Sequence, residues 1–162
     1  MSLASKTIHS PVGKLKLVAS ERGLVAILWE NDAPNRVRLG EFVMSETNHT
    51  LVQTERQLSE YFAGERQNFT VSLDLRGTAF QMNVWEALLA IPFGETRSYG
   101  ELARRLGNAK GARAVGAATG KNPVSIVVPC HRVIGAAGQL TGFAGGLDAK
   151  MRLLALEQKK PG

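Results

Sequence analysis

The chain has 162 residues, of which 44% are hydrophobic, and it contains a single cysteine, Cys130. This length and apolar content can bury a core, which excludes an intrinsically disordered chain. One thiol cannot form an internal disulfide or a multi-thiolate metal site, and the three histidines are scattered, so we expect no bound metal. No apolar run approaches the roughly 18 residues that span a bilayer, so we expect no membrane partner and a reducing, cytoplasmic compartment.

Charge is distributed unevenly along the chain. Residues 1–75 carry 8 Lys+Arg and 9 Asp+Glu, a net charge of −1, whereas residues 76–162 carry 12 and 5, a net charge of +7. Clustered basic residues supply the sequence-independent part of nucleic-acid binding. The alternative is a solvated basic face that only keeps the protein soluble. We place a domain boundary near Leu75, which gives a first domain over 1–75 and a second over 76–162.

The first domain has the pattern of a small sheet backed by one helix. Alternation with period two predicts strands over 15–19, 24–29 and 69–75, the first two forming an antiparallel hairpin. Helical spacing predicts a helix over 50–63, which Gly64 would end. The domain contains no constellation that indicates chemistry.

Two capping-box patterns start helices in the second domain. Thr78 is followed three residues later by Gln81, and Ser98 is followed by Glu101. The first pattern predicts a helix of about eleven residues that ends before Pro92. The second predicts a short helix that ends at Gly107.

A third helix is predicted over 112–118, and it is rich in alanine. This order has the form of a helix-turn-helix: a short helix, a turn with glycine, and a second helix with Arg113 and Lys121 nearby. Small residues allow a helix to approach a nucleic acid closely, or allow two helices to pack tightly, and the sequence favours neither. The fold class is therefore α+β: a small α/β domain with a short antiparallel sheet, followed by a mainly helical domain.

Asn122 and Pro123 form a turn-favouring pair, and the β-branched residues after them predict a buried extended segment over 124–128. Cys130 follows it directly, next to His131 and Arg132, whose imidazole and guanidinium can favour a thiolate. Adjacent side chains point apart on strands and helices, so a water or a sharp turn is needed to join thiol and imidazole.

A glycine-rich loop follows the cysteine, and a last helix is predicted over 148–158. A carboxylate on the far imidazole nitrogen would complete a nucleophile, base and acid arrangement. Glu157 is one of five acids in the second domain, and the residues alone do not single it out.

The chain contains the run PCHRVIG at 129–135, with Asn122-Pro123 upstream. This run resembles the active-site signature of the O6-alkylguanine-DNA alkyltransferases, also called methylated-DNA–protein-cysteine methyltransferases. The resemblance extends from Phe80 to Glu157 and includes IPFGE at 91–95, SYG at 98–100 and ARAVG at 112–116. Residues 1–75 fit the variable first domain of that family in length and pattern.

The resemblance implies a ribonuclease H-like first domain and a winged-helix-like second domain. It also implies a DNA repair protein that flips O6-alkylguanine out of double-stranded DNA from the minor groove. Such a protein transfers the alkyl group irreversibly to its own cysteine, so each molecule acts once, and it requires no cofactor. We expect a monomer, and cooperative assembly on DNA stays open.

The resemblance assigns catalytic roles residue by residue. Cys130 would be the acceptor thiolate, His131 a base acting through a water, and Glu157 the carboxylate that orients the imidazole. Tyr99 would donate a proton to the leaving guanine. Asn122 would join the recognition helix to the active-site segment.

DNA contacts are implied in the same way. Arg113 would enter the base stack and fill the space left by the flipped guanine, and Ala112 would let the recognition helix sit in the minor groove. The other DNA contacts that the resemblance implies are Ala114, Lys121 and Tyr99.

The substrate pocket implied by the resemblance is lined by Val133, Phe143, Ala144, Ser125 and Thr119. Phe143 stands where some relatives have tyrosine, and Ser125 where some have proline, so the alkyl-size preference stays open. The zinc site found in the first domain of some relatives cannot be built here from thiolates.

Two other functions are compatible with the residues. A hydrolase with a Cys130, His131 and Glu157 triad would turn over repeatedly and would not need DNA. A helix-turn-helix lesion sensor would bind DNA without chemistry. Sensor-type relatives lack the cysteine, so its presence here favours alkyl transfer.

Overall fold

The computed structural model describes residues 3–107 and 111–158. Four strands form the sheet of the first domain: β1 (Leu3–Ser10), β2 (Gly13–Ala19), β3 (Leu24–Trp29) and β4 (Phe42–Met44). Their order is β3-β2-β1-β4, and the pairs are antiparallel except for β1 with β4. Helix α1 (His49–Phe62) packs on this sheet. Gly64 follows it in a left-handed conformation (φ +79°), as predicted.

The sequence pattern does not reveal β1 and β4. Strand β1 places the polar side chain of Ser5 at a buried position, which hides its alternation. Strand β4 has only three residues, and all three are exposed. Both strands depend on pairing across the sheet, which local periodicity does not report.

The strand predicted over 69–75 is wrong. Its only strand pairing among the described residues is one isolated bridge between Leu73 and Leu24. The N–H of Leu24 donates to the carbonyl of Ser72 (2.8 Å) and the N–H of Asp74 donates to the carbonyl of Leu24 (2.8 Å) to form this bridge. The alternation has another cause, because Phe69 and Val71 pack against the core that α1 covers. Burial of one face therefore produced the pattern without a ladder.

Among the described residues of the second domain, four helices follow: α2 (Ala79–Leu89), α3 (Tyr99–Arg105), α4 (Gly111–Gly120) and α5 (Leu147–Gln158). Two short parallel strands, β5 (Arg97–Ser98) and β6 (Val133–Ile134), join the start of α3 to the site region. Both predicted capping boxes are present, at Thr78 and at Ser98. The predicted α+β class is confirmed, and α3 packs against α4 as a helix-turn-helix requires, while residues 108–110 of the predicted turn lie outside the described residues. No helix of the described residues is both long and apolar enough to cross a bilayer.

One apolar core runs through both domains, and it includes Leu17 of β2 and Trp85 of α2. Polar contacts reinforce this junction. The N–H of Ile27 in β3 donates to the carbonyl of Pro123 (2.9 Å), and the indole of Trp85 donates to the carbonyl of Ala118 in α4 (2.9 Å). The segment that leads to the cysteine is thus fastened to the sheet of the first domain.

Candidate active site

Cys130 begins a single 3-10 turn (Cys130–Arg132) that leads into β6. The residue is buried, with 6% of its surface exposed. Burial raises the pKa of its thiol, although a hydrogen bond with Asn122 and the charges of Arg36 and Lys150 oppose that rise. The resting thiol is therefore neutral, and forming the thiolate requires a base.

The segment over 124–128 is buried, as predicted, but it forms a compact turn, so the predicted extended conformation is wrong. The N–H of Val128 donates to the carbonyl of Val124 (2.9 Å), and Ile126 has a φ of +75°. A β-branched residue rarely adopts this left-handed conformation, which costs about 1–3 kcal/mol. Neighbouring contacts must hold the turn in place.

Asn122 provides two of those contacts from a fully buried position. Its Nδ2 donates to the carbonyl of Val128 (2.8 Å), and its Oδ1 accepts from the N–H of Val124 (3.0 Å). One amide thus ties both ends of the turn together. The chain leaves this turn directly into Cys130, so Asn122 sets the direction from which the thiol is presented.

The imidazole of His131 is fully buried. Its Nε2 lies 2.7 Å from Oε2 of Glu157, so Nε2 carries the proton that this carboxylate accepts. Its Nδ1 has no hydrogen-bond partner within the described part of the chain. Burial lowers the pKa of His131 against the opposing effect of Glu157. The result is a neutral imidazole whose Nδ1 can accept a proton.

Glu157 lies on α5 and is buried beneath the cysteine turn. Its Oε1 accepts from Nε of Arg132 (2.8 Å), and its Oε2 accepts from His131, from a second Arg132 nitrogen (3.0 Å) and from the hydroxyl of Tyr61 (2.6 Å). Burial alone would raise the pKa of Glu157, but these hydrogen bonds outweigh it and lower the pKa to about 2. Glu157 is therefore a fixed anion.

Arg132 does not act on the cysteine in the way that its position in sequence suggests. Its guanidinium pairs with Glu157, and its remaining terminal nitrogen donates to the carbonyl of Ile91 (2.6 Å). The Arg132 side chain is thus committed to holding the carboxylate. The cations that lower the pKa of Cys130 are Arg36 and Lys150.

Sequence reasoning missed Lys150, whose side chain is almost fully buried in α5. Its ammonium donates to the carbonyl of Val133 (2.7 Å) and approaches that of Thr141 (3.5 Å). Burial lowers the pKa of Lys150, and the negative charge of Cys130 in its thiolate form opposes this. Lys150, Leu153 and Glu157 share one face of α5 at helical spacing, which was the available signal.

Three of the pocket residues implied by the resemblance surround the loop after the cysteine. Val133 is buried in β6, and its carbonyl is held by Lys150. Phe143 is half-buried and meets the ring of Trp29 edge-on, with centroids 5.4 Å apart. Ala144 is half-buried against the same core.

The two hydroxyl residues of that pocket set are both bonded to protein. The hydroxyl of Ser125 accepts from the indole of Trp29 (3.0 Å), which sequence reasoning did not foresee. The hydroxyl of Thr119 donates to the carbonyl of Val115 one turn earlier in α4 (2.8 Å). Trp29 therefore joins the first domain to the turn before the cysteine through Ser125.

Tyr99 is the first residue of α3 and is half-buried. Its hydroxyl lies 2.7 Å from the hydroxyl of Thr141, and its ring lies against Gly116 of α4. Tyr99 thus stands between the helix-turn-helix and the loop that follows the cysteine.

The residues expected to contact DNA lie on and beside α4. Ala112 and Arg113 are exposed near its start, Ala114 is half-buried, and Lys121 is exposed just beyond its end. The opposite face of α4 is buried through Val115 and its neighbours. Some small residues of α4 thus lie on its exposed surface, and others lie on the face that packs against the rest of the protein.

The fold and the site together define a two-domain class of protein: a sheet domain, a helix-turn-helix domain of the kind that binds DNA, and a buried thiol, imidazole and carboxylate. Two family models match the chain: 6-O-methylguanine DNA methyltransferase, ribonuclease-like domain, over residues 3–75, and the DNA binding domain of the same family over residues 79–159. The chain belongs to the 6-O-methylguanine DNA methyltransferase family.

Individual relatives agree with this assignment. A methylated-DNA–protein-cysteine methyltransferase of Mycolicibacterium paratuberculosis is 49% identical over 95% of this chain and 92% of its own length. One of Methanosarcina acetivorans is 47% identical over 92% of this chain and 94% of its own length. A crystal structure of Mycobacterium tuberculosis OGT in complex with DNA is 46% identical, covers 98% of this chain and 93% of that one, and superposes with a TM-score of 0.86.

Proposed function

We propose that the protein repairs O6-alkylguanine in double-stranded DNA by moving the alkyl group onto Cys130. The observation that carries this proposal is the buried imidazole of His131, which is bonded to Glu157 through Nε2 and has no partner at Nδ1 among residues 3–107 and 111–158. The names of close relatives and the DNA-bound structure of one relative support the same activity.

The first step is removal of the thiol proton. His131 accepts it at Nδ1 through a water, and the Glu157 anion stabilises the imidazolium that results. Because burial disfavours a resting thiolate at Cys130, this transfer takes place when the substrate has filled the pocket.

The second step is an in-line displacement at the alkyl carbon. The Sγ–C bond of Cys130 forms as the bond from carbon to guanine O6 breaks, and the electron pair of that bond leaves with the guanine. Tyr99 donates a proton to the guanine at N3 and recovers one from the imidazolium through solvent. One proton thus leaves the thiol and one reaches the base, so protons and electrons balance.

The thioether product ends the activity of the molecule. Removing the alkyl group would require the Cys130 thiolate to leave from a saturated carbon, and a thiolate is a poor leaving group there; the chain also has no second cysteine that could receive the alkyl group. We propose a single turnover for each protein molecule, in contrast to a hydrolase triad, which would be regenerated by water.

The exposed face of α4 is the proposed DNA surface. A target atom inside the duplex is reached by flipping the nucleotide, which costs a few kcal/mol of stacking. Arg113 can offset part of this cost by filling the gap, and Ala112 lets the helix approach the minor groove. The minor groove carries little sequence information, which suits recognition of a lesion in any sequence.

The domain boundary, the oligomeric state and the compartment are also proposed. We place the domain boundary near Leu75, in agreement with a first family model that ends at 75 and a second that starts at 79. We propose that the protein acts as a monomer in the cytoplasm, where thiols stay reduced.

The test of the residue assignment is a Cys130→Ser variant given a duplex with one O6-methylguanine. The variant is expected to bind this duplex and to leave the lesion unrepaired. Repair by Cys130→Ser would contradict the assignment. Loss of repair together with loss of folding, seen by circular dichroism, would call for Cys130→Ala, whose smaller apolar side chain suits the buried position.

A further inference from the structure

Tyr61 of helix α1 reaches the acid of the active site from the first domain. Its hydroxyl donates to Oε2 of Glu157 at 2.6 Å, although the two residues lie 96 positions apart in sequence. Tyr61 is 1% exposed, and Glu157 is also buried. No chemistry was expected of the first domain, so this contact gives it a direct connection to the site.

The hydroxyl of Tyr61 shares its acceptor with the imidazole. Oε2 of Glu157 receives donors from Tyr61 (2.6 Å), from Nε2 of His131 (2.7 Å) and from Arg132 (3.0 Å). Within the described part of the chain, Oε1 receives only Nε of Arg132. A carboxylate oxygen has two lone pairs, so these three donors divide its electron density. The hydrogen bond from the Tyr61 hydroxyl therefore weakens the hydrogen bond from Nε2 of His131 to the same oxygen.

Aromatic packing keeps the Tyr61 hydroxyl in this position. The ring contacts Phe62 and Phe69, each with a centroid separation of 5.3 Å, and Phe93 of the second domain at 6.2 Å. Burial and the Glu157 charge raise the pKa of Tyr61 well above its ordinary value. The phenol thus stays protonated and remains a donor throughout the range in which His131 titrates.

We propose that Tyr61 is a positioning residue through which the first domain sets the proton affinity of His131. This inference rests on the proposed function, in which His131 receives the proton of Cys130. With the Tyr61 hydroxyl present, Glu157 is a weaker acceptor for the imidazole N–H, so the imidazolium is less stabilised. His131 then stays neutral, and able to accept a proton, down to a lower pH.

Other charges also face the imidazole, and all of them persist when the Tyr61 hydroxyl is removed. Glu157 favours the charged form of His131, whereas Arg132 in the same turn and Lys150 of α5 disfavour it. Cys130 is the adjacent titratable group in the same turn. Loss of the Tyr61 donor therefore makes Glu157 a stronger acceptor for the imidazole N–H, which raises the pKa of His131.

The test compares Tyr61→Phe with Thr54→Val. The first removes only the hydroxyl and keeps the ring in its aromatic contacts. The second removes a buried hydroxyl from the same helix, where it donates to the carbonyl of Thr50 (2.7 Å) and does not reach Glu157. Two quantities are measured in each protein: the titration of the His131 side-chain nitrogens by NMR, and the single-turnover rate with free O6-benzylguanine as a function of pH.

In Tyr61→Phe the pKa of His131 is expected to rise by about 0.5–1 unit. The acid limb of the rate profile should move by the same amount, so the rate on that limb falls about three- to tenfold. Thr54→Val should leave both quantities at their wild-type values. An unmoved His131 titration in Tyr61→Phe, or an equal shift in both variants, would overturn the proposal.

A second substitution covers the case in which Tyr61→Phe does not fold. Site-specific replacement of Tyr61 by 3-fluorotyrosine keeps the ring and makes the phenol a stronger donor, so the pKa of His131 is expected to fall. A rise or no change would overturn the proposal. The NMR titration needs no alkyl transfer, so failure of this inference is distinguishable from failure of the proposed function, in which the wild-type protein would not alkylate Cys130.

Discussion

Nε2 of His131 lies 2.7 Å from Oε2 of Glu157, and both side chains are buried. This contact joins the cysteine turn to the last helix and makes Nδ1 the only imidazole nitrogen available to a substrate or a thiol. Since Arg132 holds the other side of the carboxylate, the pair cannot rotate freely. The acid therefore fixes the tautomer on which the proposed proton transfer depends.

Acid should destabilise the protein through Glu157. Its folded-state pKa of about 2 lies below the ordinary value of 4.5. The stabilisation is thus fully present above pH 4.5 and is lost as the pH falls toward 2, and a shift of this size corresponds to about 3 kcal/mol. Urea unfolding at about pH 6 and about pH 3 measures the loss.

The matched variants are Glu157→Gln and Glu86→Gln. Glu86 is exposed on α2, so its variant should lose unfolding free energy on acidification as the wild type does. Glu157→Gln should be less stable at about pH 6 and should lose less on acidification, because it has no carboxylate to protonate. A wild-type pH dependence in Glu157→Gln would contradict the role of this group.

Arg113→Ala should separate DNA engagement from chemistry. Because Arg113 is proposed to fill the gap of the flipped base, repair in duplex DNA is expected to fall about tenfold or more. Transfer from free O6-benzylguanine should be nearly unchanged. Arg56→Ala, which removes an exposed cation from α1, is the control for net charge and should affect neither reaction. Equal losses with both substrates would remove Arg113 from the proposed role.

Tyr99→Phe should slow alkyl transfer roughly ten- to a hundredfold, because the phenol would no longer donate its proton. The measurement is the single-turnover rate at saturating duplex, with DNA affinity determined separately and expected to weaken only modestly. Thr141→Val is the matched control, since it removes the partner of the Tyr99 hydroxyl and keeps the proton donor. If Thr141→Val were as slow as Tyr99→Phe, the hydroxyl would act by positioning alone.

Gly145→Ala should destabilise the loop beside the pocket. A Cβ at Gly145 would lie 2.5 Å from the ring of Trp29, which must then move away from Phe143. Overpacking of this kind costs about 1–3 kcal/mol. Gly142→Ala in the same loop meets nothing within 4 Å and should leave the unfolding free energy nearly unchanged. Equal stability of the two variants in urea unfolding would show that Trp29 does not confine this loop.

Local signals explain which parts of the fold could be predicted from sequence. The capping boxes at Thr78 and Ser98 involve residues three positions apart, so the chain itself displays them. Strand β4 depends on pairing with β1, and alternation missed it. The segment over 69–75 alternates because one face is buried, and alternation wrongly predicted a strand there. The positive φ of Ile126 likewise depends on Asn122 and not on the β-branched run, which predicted an extended segment.

In the candidate site too, some residues could be predicted from local sequence and others could not. The run PCHRVIG and the family resemblance pointed to Cys130 and its neighbours, and the structure places Glu157 against His131. Tyr61 lies 96 positions from Glu157, and nothing near it in sequence indicates a polar partner. Contacts of this kind arise only when the two domains pack together.

The most direct test of the account is the mass of the intact protein after reaction with an excess of duplex carrying one O6-methylguanine. We predict that each protein molecule gains one methyl group, that peptide mapping places it on Cys130, and that the DNA contains one restored guanine for each alkylated protein. Repair of more lesions than there are protein molecules, with Cys130 unmodified, would contradict single-turnover transfer to this cysteine.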